Sequence, residues 1–74
     1  MTVLVVDDQT NVVSGIISGV HWSDIGVSKV LPAYNAFEAK QVLSTEKIDI
    51  MLCDIEMPVE SGLDLFRWVR KQGL

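Results

Sequence analysis

The run Thr2-Val3-Leu4-Val5-Val6 is β-branched or aliphatic throughout, with no polar alternation, and it stops at Asp7-Asp8. A strand that is apolar on both sides has to be covered on both sides, which predicts the interior of a parallel sheet. Few folds satisfy that demand in 74 residues. Beyond Asp8 the period changes. From about Gln9 to Val20, the residues Val13, Ile16, Ile17 and Val20 recur at helical spacing on one face. Asp8 and Thr10 are candidate capping or first-turn residues, and Gly15 and Gly19 are read as permitting close packing on a sheet.

His21 to Gly26 forms a connector, with Trp22 expected to fold back over the edge of the core. His21 has no second ligand or triad partner in its neighbourhood and reads as structural or solvated. Val27 to Ala33 is a second strand. It contains Lys29 and Pro32, and a proline that cannot donate to the ladder predicts an edge position. Ala36 to about Thr45 is a second helix, with Ala36, Ala39, Val42 and Leu43 on its apolar face. Ile48 to Cys53 is a third apolar strand ending at Asp54, and Cys53 is expected to be a buried filler. After Pro58 and a loop over Val59 to Gly62, a third helix runs to the end with Leu63, Phe66 and Val69 on one face, and Arg70 as a further candidate.

Strand and helix thus alternate three times, the pattern of an α/β fold with a parallel sheet. Strands one and three are apolar throughout and strand two is an edge, so the order 2-1-3 fits. Right-handed crossovers then place the first helix on one face and the other two on the opposite face. In this order the chain reverses direction across the sheet between strands one and three, and the crevice at such a switch point is the usual ligand site. Strands one and three are neighbours, roughly 4.8 Å apart. Asp7, Asp8 and Asp54 therefore converge and repel one another unless a cation resides among them. Hard oxygen ligands with no histidine or thiolate partner favour Mg²⁺, which binds phosphate oxygens as well. A carboxylate in such a place suggests phosphoryl transfer with an aspartate as the candidate nucleophile. The competing reading makes the three acids separate strand ends and caps, and Glu56 and Glu60 are read equally well as solvated loop residues.

Composition narrows the field further. One domain is the ceiling at this length. A net charge of −4 and a pI near 4.6 speak against direct nucleic-acid or anionic-membrane binding by this segment. No apolar stretch is long enough to span a bilayer, so a cytoplasmic location is expected. One cysteine excludes an internal disulfide.

Val3-Leu4-Val5-Val6-Asp7-Asp8, Asp49-Ile50-Met51-Leu52-Cys53-Asp54-Ile55-Glu56-Met57-Pro58 and Ser61-Gly62-Leu63 resemble the receiver domain of two-component response regulators. The likeness runs through the whole chain, and Asp54 to Pro58 with Ser61 to Arg70 is similar to receivers joined to AraC-type DNA-binding domains. The resemblance implies a flavodoxin-like (CheY-like) doubly wound sheet and a phosphoryl group taken from a sensor histidine kinase. By position it makes Asp54 the phosphoacceptor and Asp8 and Asp54 direct Mg²⁺ ligands. It makes Asp7 a ligand or the holder of metal-bound water, and has Glu56 contribute its backbone carbonyl. The family's fourth and fifth strands, with their switch Ser or Thr and their Lys, are absent from residues 1–74. Ser61, Arg70 and Lys71 lie in the wrong elements to replace them. The apolar third strand is then left with an open edge, which makes self-association of a fragment without phosphotransfer competence the alternative expectation. Aspartate-dependent phosphatases with D-x-D after a strand fit less well, since Asp54-Ile55-Glu56 has glutamate at the third place.

Overall fold

The computed structural model describes residues 1–73 and contains three parallel strands with three helices. In chain order these are β1 (Thr2–Val6), α1 (Thr10–Gly19), a 3₁₀ turn (Trp22–Ile25), β2 (Lys29–Ala33), α2 (Ala36–Thr45), β3 (Ile50–Cys53) and α3 (Gly62–Gln72). The sheet order is β2-β1-β3, as the apolar runs predict. β1 is central: Val3, Leu4, Val5 and Val6 are all buried. Alternation along β1 divides the core in two. Val3 and Val5 meet Val13 of α1, together with Val27. Leu4 and Val6 face Ala36, Ala39 and Leu43 of α2 and Leu65 of α3. One helix on one face and two on the other is the arrangement that right-handed crossovers demand. Each such aliphatic side chain contributes about 1.5–3 kcal/mol on burial.

Several expectations need correction. The third strand begins at Ile50, not Ile48, although Asp49 N–H already donates to Thr2 C=O at 2.9 Å and Ile48 packs on the α2–α3 core. The second strand begins at Lys29, because Val27 N–H is taken by Trp22 C=O at 3.0 Å. Gly15 and Gly19 do not approach the sheet: nothing lies within 4 Å of where a Cβ would stand. Thr10 is the first-turn residue expected, but neither it nor Asp8 caps α1, whose N-cap is Gln9 with no side-chain bond. Val20 is exposed instead of lying on the apolar face of α1.

The third helix shows a different face from the one expected. Leu65 is fully buried with Trp68 and Val69 against the same core, while Leu63 and Phe66 are about half exposed. Residues 63, 66 and 69 do lie on one helical stripe. Leu63 and Phe66 line a groove beside Met51 and Cys53 of β3, while Val69 packs on the core.

Other local expectations hold. Trp22 packs on the α1 side and donates Nε1–H to Ile17 C=O at 2.9 Å. His21 is exposed, with Asp24 3.9 Å away. Lys29 and Pro32 lie on the edge strand. Ala36, Ala39 and Leu43 are buried on α2. Among the described residues no helix is long and apolar enough to cross a membrane.

The β3–α3 connection holds one strained residue. Val59 has φ of 70°, and Glu60 N–H donates to Pro58 C=O at 2.8 Å across it. An i→i+2 bond around a positive-φ residue is the rare, strained form of γ-turn. The valine side chain is fully exposed and gains no packing in return. Val59→Gly is therefore expected to raise stability by about 1 kcal/mol, with an unchanged slope, in urea unfolding.

Candidate metal and phosphoacceptor site

The site is built by extension of the two ladders of β1. The register pairs Val6 with Ala33 on one side and with Cys53 on the other. Asp7 N–H then donates to Ala33 C=O at 3.1 Å, and Asp54 N–H donates to Val6 C=O at 2.9 Å. Both carboxylates therefore leave the sheet from backbone that is still hydrogen-bonded. Asp8 follows in the turn before α1. Carboxylate oxygens of Asp7, Asp8 and Asp54 all lie within 4.8 Å of one another, Asp7 and Asp54 half-buried and Asp8 exposed.

Two backbone amides orient this cluster. Gln9 N–H donates to Asp7 Oδ1 at 3.0 Å, and Glu56 N–H donates to Asp54 Oδ1 at 3.2 Å. In each carboxylate one oxygen is tied back into its own loop and the other is left for a further partner. An all-oxygen donor set of three converging carboxylates suits a hard divalent cation such as Mg²⁺. The residues present fit such an ion.

Of the acidic residues named from sequence, Asp7, Asp8 and Asp54 come together. Glu56 enters through its amide and is exposed, while Glu60 is drawn away to Lys40 of α2 at 2.7 Å. Gly62, which sequence reasoning left without a physical role, shapes the site from behind. A Cβ there would collide with the carbonyl oxygen of Asp54 and crowd Ile55 Cα, so only glycine lets α3 start this close to the end of β3. Gly62 N–H donates to Ile55 C=O at 2.9 Å and closes the loop. A further signal was legible in Ser61-Gly62-Leu63-Asp64: Ser61 and Asp64 form a capping box that fixes where α3 begins. Asn35 caps α2 with its side chain, accepting from Glu38 N–H at 2.8 Å.

Cys53 is half-buried and not the fully buried filler expected, because β3 is covered on one side only. Its S–H donates to Asp54 C=O at 3.3 Å. Burial pushes the thiol above its ordinary value of 9.0, and the negative charges of Asp54 and then Asp7 push it further.

Residues 3–74 match the response regulator receiver domain, and the chain belongs to that family. It is 42% identical over 62 residues to a protein-glutamate methylesterase/protein-glutamine glutaminase of Rhizobium etli. It is 28% identical over 67 residues to the uncharacterized transcriptional regulatory protein YesN of Bacillus subtilis. These matches cover 84% and 90% of this chain but 18% of each relative, so the chain spans under a fifth of these two proteins. Among solved structures, a two-component transcriptional regulator AraC from Clostridium phytofermentans superposes with a TM-score of 0.90 at 24% identity, covering 97% of this chain and 58% of that one. The response regulator TrrA of Thermotoga maritima, in complex with Mg(2+)-BeF, superposes with a TM-score of 0.83 at 31% identity, covering 96% and 59%. The three strands and three helices thus correspond to the first part of the flavodoxin-like receiver fold.

The thiol gives a pH-dependent test. Because the folded chain holds the Cys53 proton more tightly than the unfolded chain, the associated stability is present below pH 9 and is lost as pH rises through the folded value. Iodoacetamide alkylation of the native protein is expected to show its midpoint above pH 9.0, and Asp54→Asn is expected to move that midpoint down. A midpoint indifferent to Asp54→Asn would contradict the electrostatic coupling of the two neighbours.

Proposed function

We propose that this receiver domain accepts a phosphoryl group on Asp54 from a sensor histidine kinase, with Mg²⁺ held by Asp7, Asp8, Asp54 and the backbone carbonyl of Glu56. The observation that carries this reading is the convergence of Asp7, Asp8 and Asp54 at the ends of two paired strands. A related receiver was solved with Mg(2+)-BeF, which supports the choice of cation.

In the transfer, a carboxylate oxygen of Asp54 forms the new bond to phosphorus. The bond from phosphorus to the donor imidazole nitrogen breaks, and its electron pair leaves with that nitrogen. Asp54 Oδ1 keeps its hydrogen bond to Glu56 N–H, so the carboxylate is oriented before the donor arrives. Bound Mg²⁺ offsets the negative charge that the carboxylates and the phosphoryl oxygens bring together. The segment itself, at net charge −4, does not contact DNA. The parent protein is read as a cytoplasmic transcription regulator, in line with the names of YesN and the AraC regulator.

Incubation with phosphoramidate and MgCl₂ is expected to give a single phosphoryl adduct by mass spectrometry, none with EDTA and none for Asp54→Asn. Asp8→Asn is expected to slow the adduct's formation at least about tenfold. An adduct that persists in Asp54→Asn overturns the assignment.

A second reading, self-association through β3, is favoured by the exposure of Ile50 and Leu52, 43% each, on a strand paired on one side only. Sedimentation equilibrium is expected to give a dimer that Leu52→Lys converts to monomer. A strictly monomeric mass at micromolar concentration removes this reading.

A further inference from the structure

The connection from Asp54 to Gly62 carries Glu56, whose amide orients Asp54, and Val59, whose backbone is strained. A strained turn persists only where its surroundings over-determine it. Its first end is held by Glu56 N–H on Asp54 and its last by Gly62 N–H on Ile55. Between them Met57 is buried in the core, and Glu60, the residue after the strained one, is held from outside the loop. Lys40 of α2 lies 2.7 Å from Glu60 Oε2 and 2.9 Å from Oε1, and its Nζ sits 5.5 Å from the centre of the Trp68 ring on α3. Both charged side chains are about seven-tenths covered, so water screens the pair less than it screens an exposed one. One ammonium thus ties α2, the loop and α3 together.

We propose that Lys40 is a positioning residue for the Asp7–Asp8–Asp54 site, acting through Glu60 to hold the strained turn and so the Glu56 amide against Asp54. The site's affinity for a cation is a suitable readout because two effects of removing Lys40 have opposite signs. Loss of one positive charge from the chain, by itself, tightens Mg²⁺ binding to three carboxylates. Loss of the clamp loosens the loop that orients Asp54 and weakens it.

NMR on Lys40→Met, Lys40→Arg and Glu60→Gln tests this in two ways. Without metal, amide exchange at Glu56 and Gly62 is expected to quicken about fivefold or more in Lys40→Met and Glu60→Gln, and to stay near wild type in Lys40→Arg. Protection at Leu4 and Val5 of the central strand is expected to be retained in all three, and if Lys40→Met alone loses it, Glu60→Gln decides. With MgCl₂ followed at the Asp7 and Asp54 amides, Lys40→Met is expected to raise Kd about fivefold. Unchanged loop exchange, or Mg²⁺ binding that is equal or tighter in Lys40→Met, overturns the proposal. The Mg²⁺ measurement rests on the metal site proposed above: a wild-type chain that ignores MgCl₂ sinks that site, and the metal-free exchange still decides the role of Lys40.

Discussion

The pairing of β1 with β3 is the constraint on which the rest of this molecule depends. It carries the chain past Cys53 in register and delivers Asp54 N–H to Val6 C=O. A slip of one residue would turn every side chain of β3 to the opposite face. Leu52 and Ile50 would exchange places with Met51 and Cys53, and the α2–α3 core would lose contacts it now makes. The acid cluster is therefore held by hydrophobic register, not by attraction among its members, which repel. Stability and chemistry share one set of hydrogen bonds.

Much of the fold was legible because β1 is apolar without interruption. That single property demanded a central position, and Lys29 with Pro32 assigned β2 to the edge; the strand order and the sides of the helices followed. The convergence of Asp7, Asp8 and Asp54 followed from strand order too, since strand ends that are neighbours bring their next residues together. What the sequence did not disclose depended on tertiary layers. Leu65, Leu63 and Phe66 are all apolar, and periodicity alone cannot say which stripe of α3 meets a core. Gly15 and Gly19 looked like packing glycines, yet Gly62 is the one placed against backbone. Only a folded chain shows where Asp54 C=O lies.

The loop from Asp54 to Gly62 combines opposing tendencies. The capping box of Ser61 with Asp64 and the small volume of Gly62 fix where α3 starts, and this sets how little chain is left to join it to β3. Val59 absorbs the mismatch as a positive φ angle. Strain at that place is the local cost of bringing a helix start so close to Asp54. It is offset by Met57 in the core and by Glu60 on Lys40. The residues that hold the loop thus lie on elements remote in sequence from the acids they help to orient.

The two edges of the sheet differ, and the difference would set the stoichiometry of the self-association proposed above. β2 presents Pro32, which has no N–H to offer, and the charged Lys29. β3 presents Ile50 and Leu52 without such guards. A sheet with both edges open can add copies without limit, as fibres do. With one edge blocked, a pairing of copies through β3 would use the one unguarded edge among the described residues of each. The product of the proposed pairing would be a closed twofold pair of six strands, ordered 2-1-3-3-1-2, and growth would stop there.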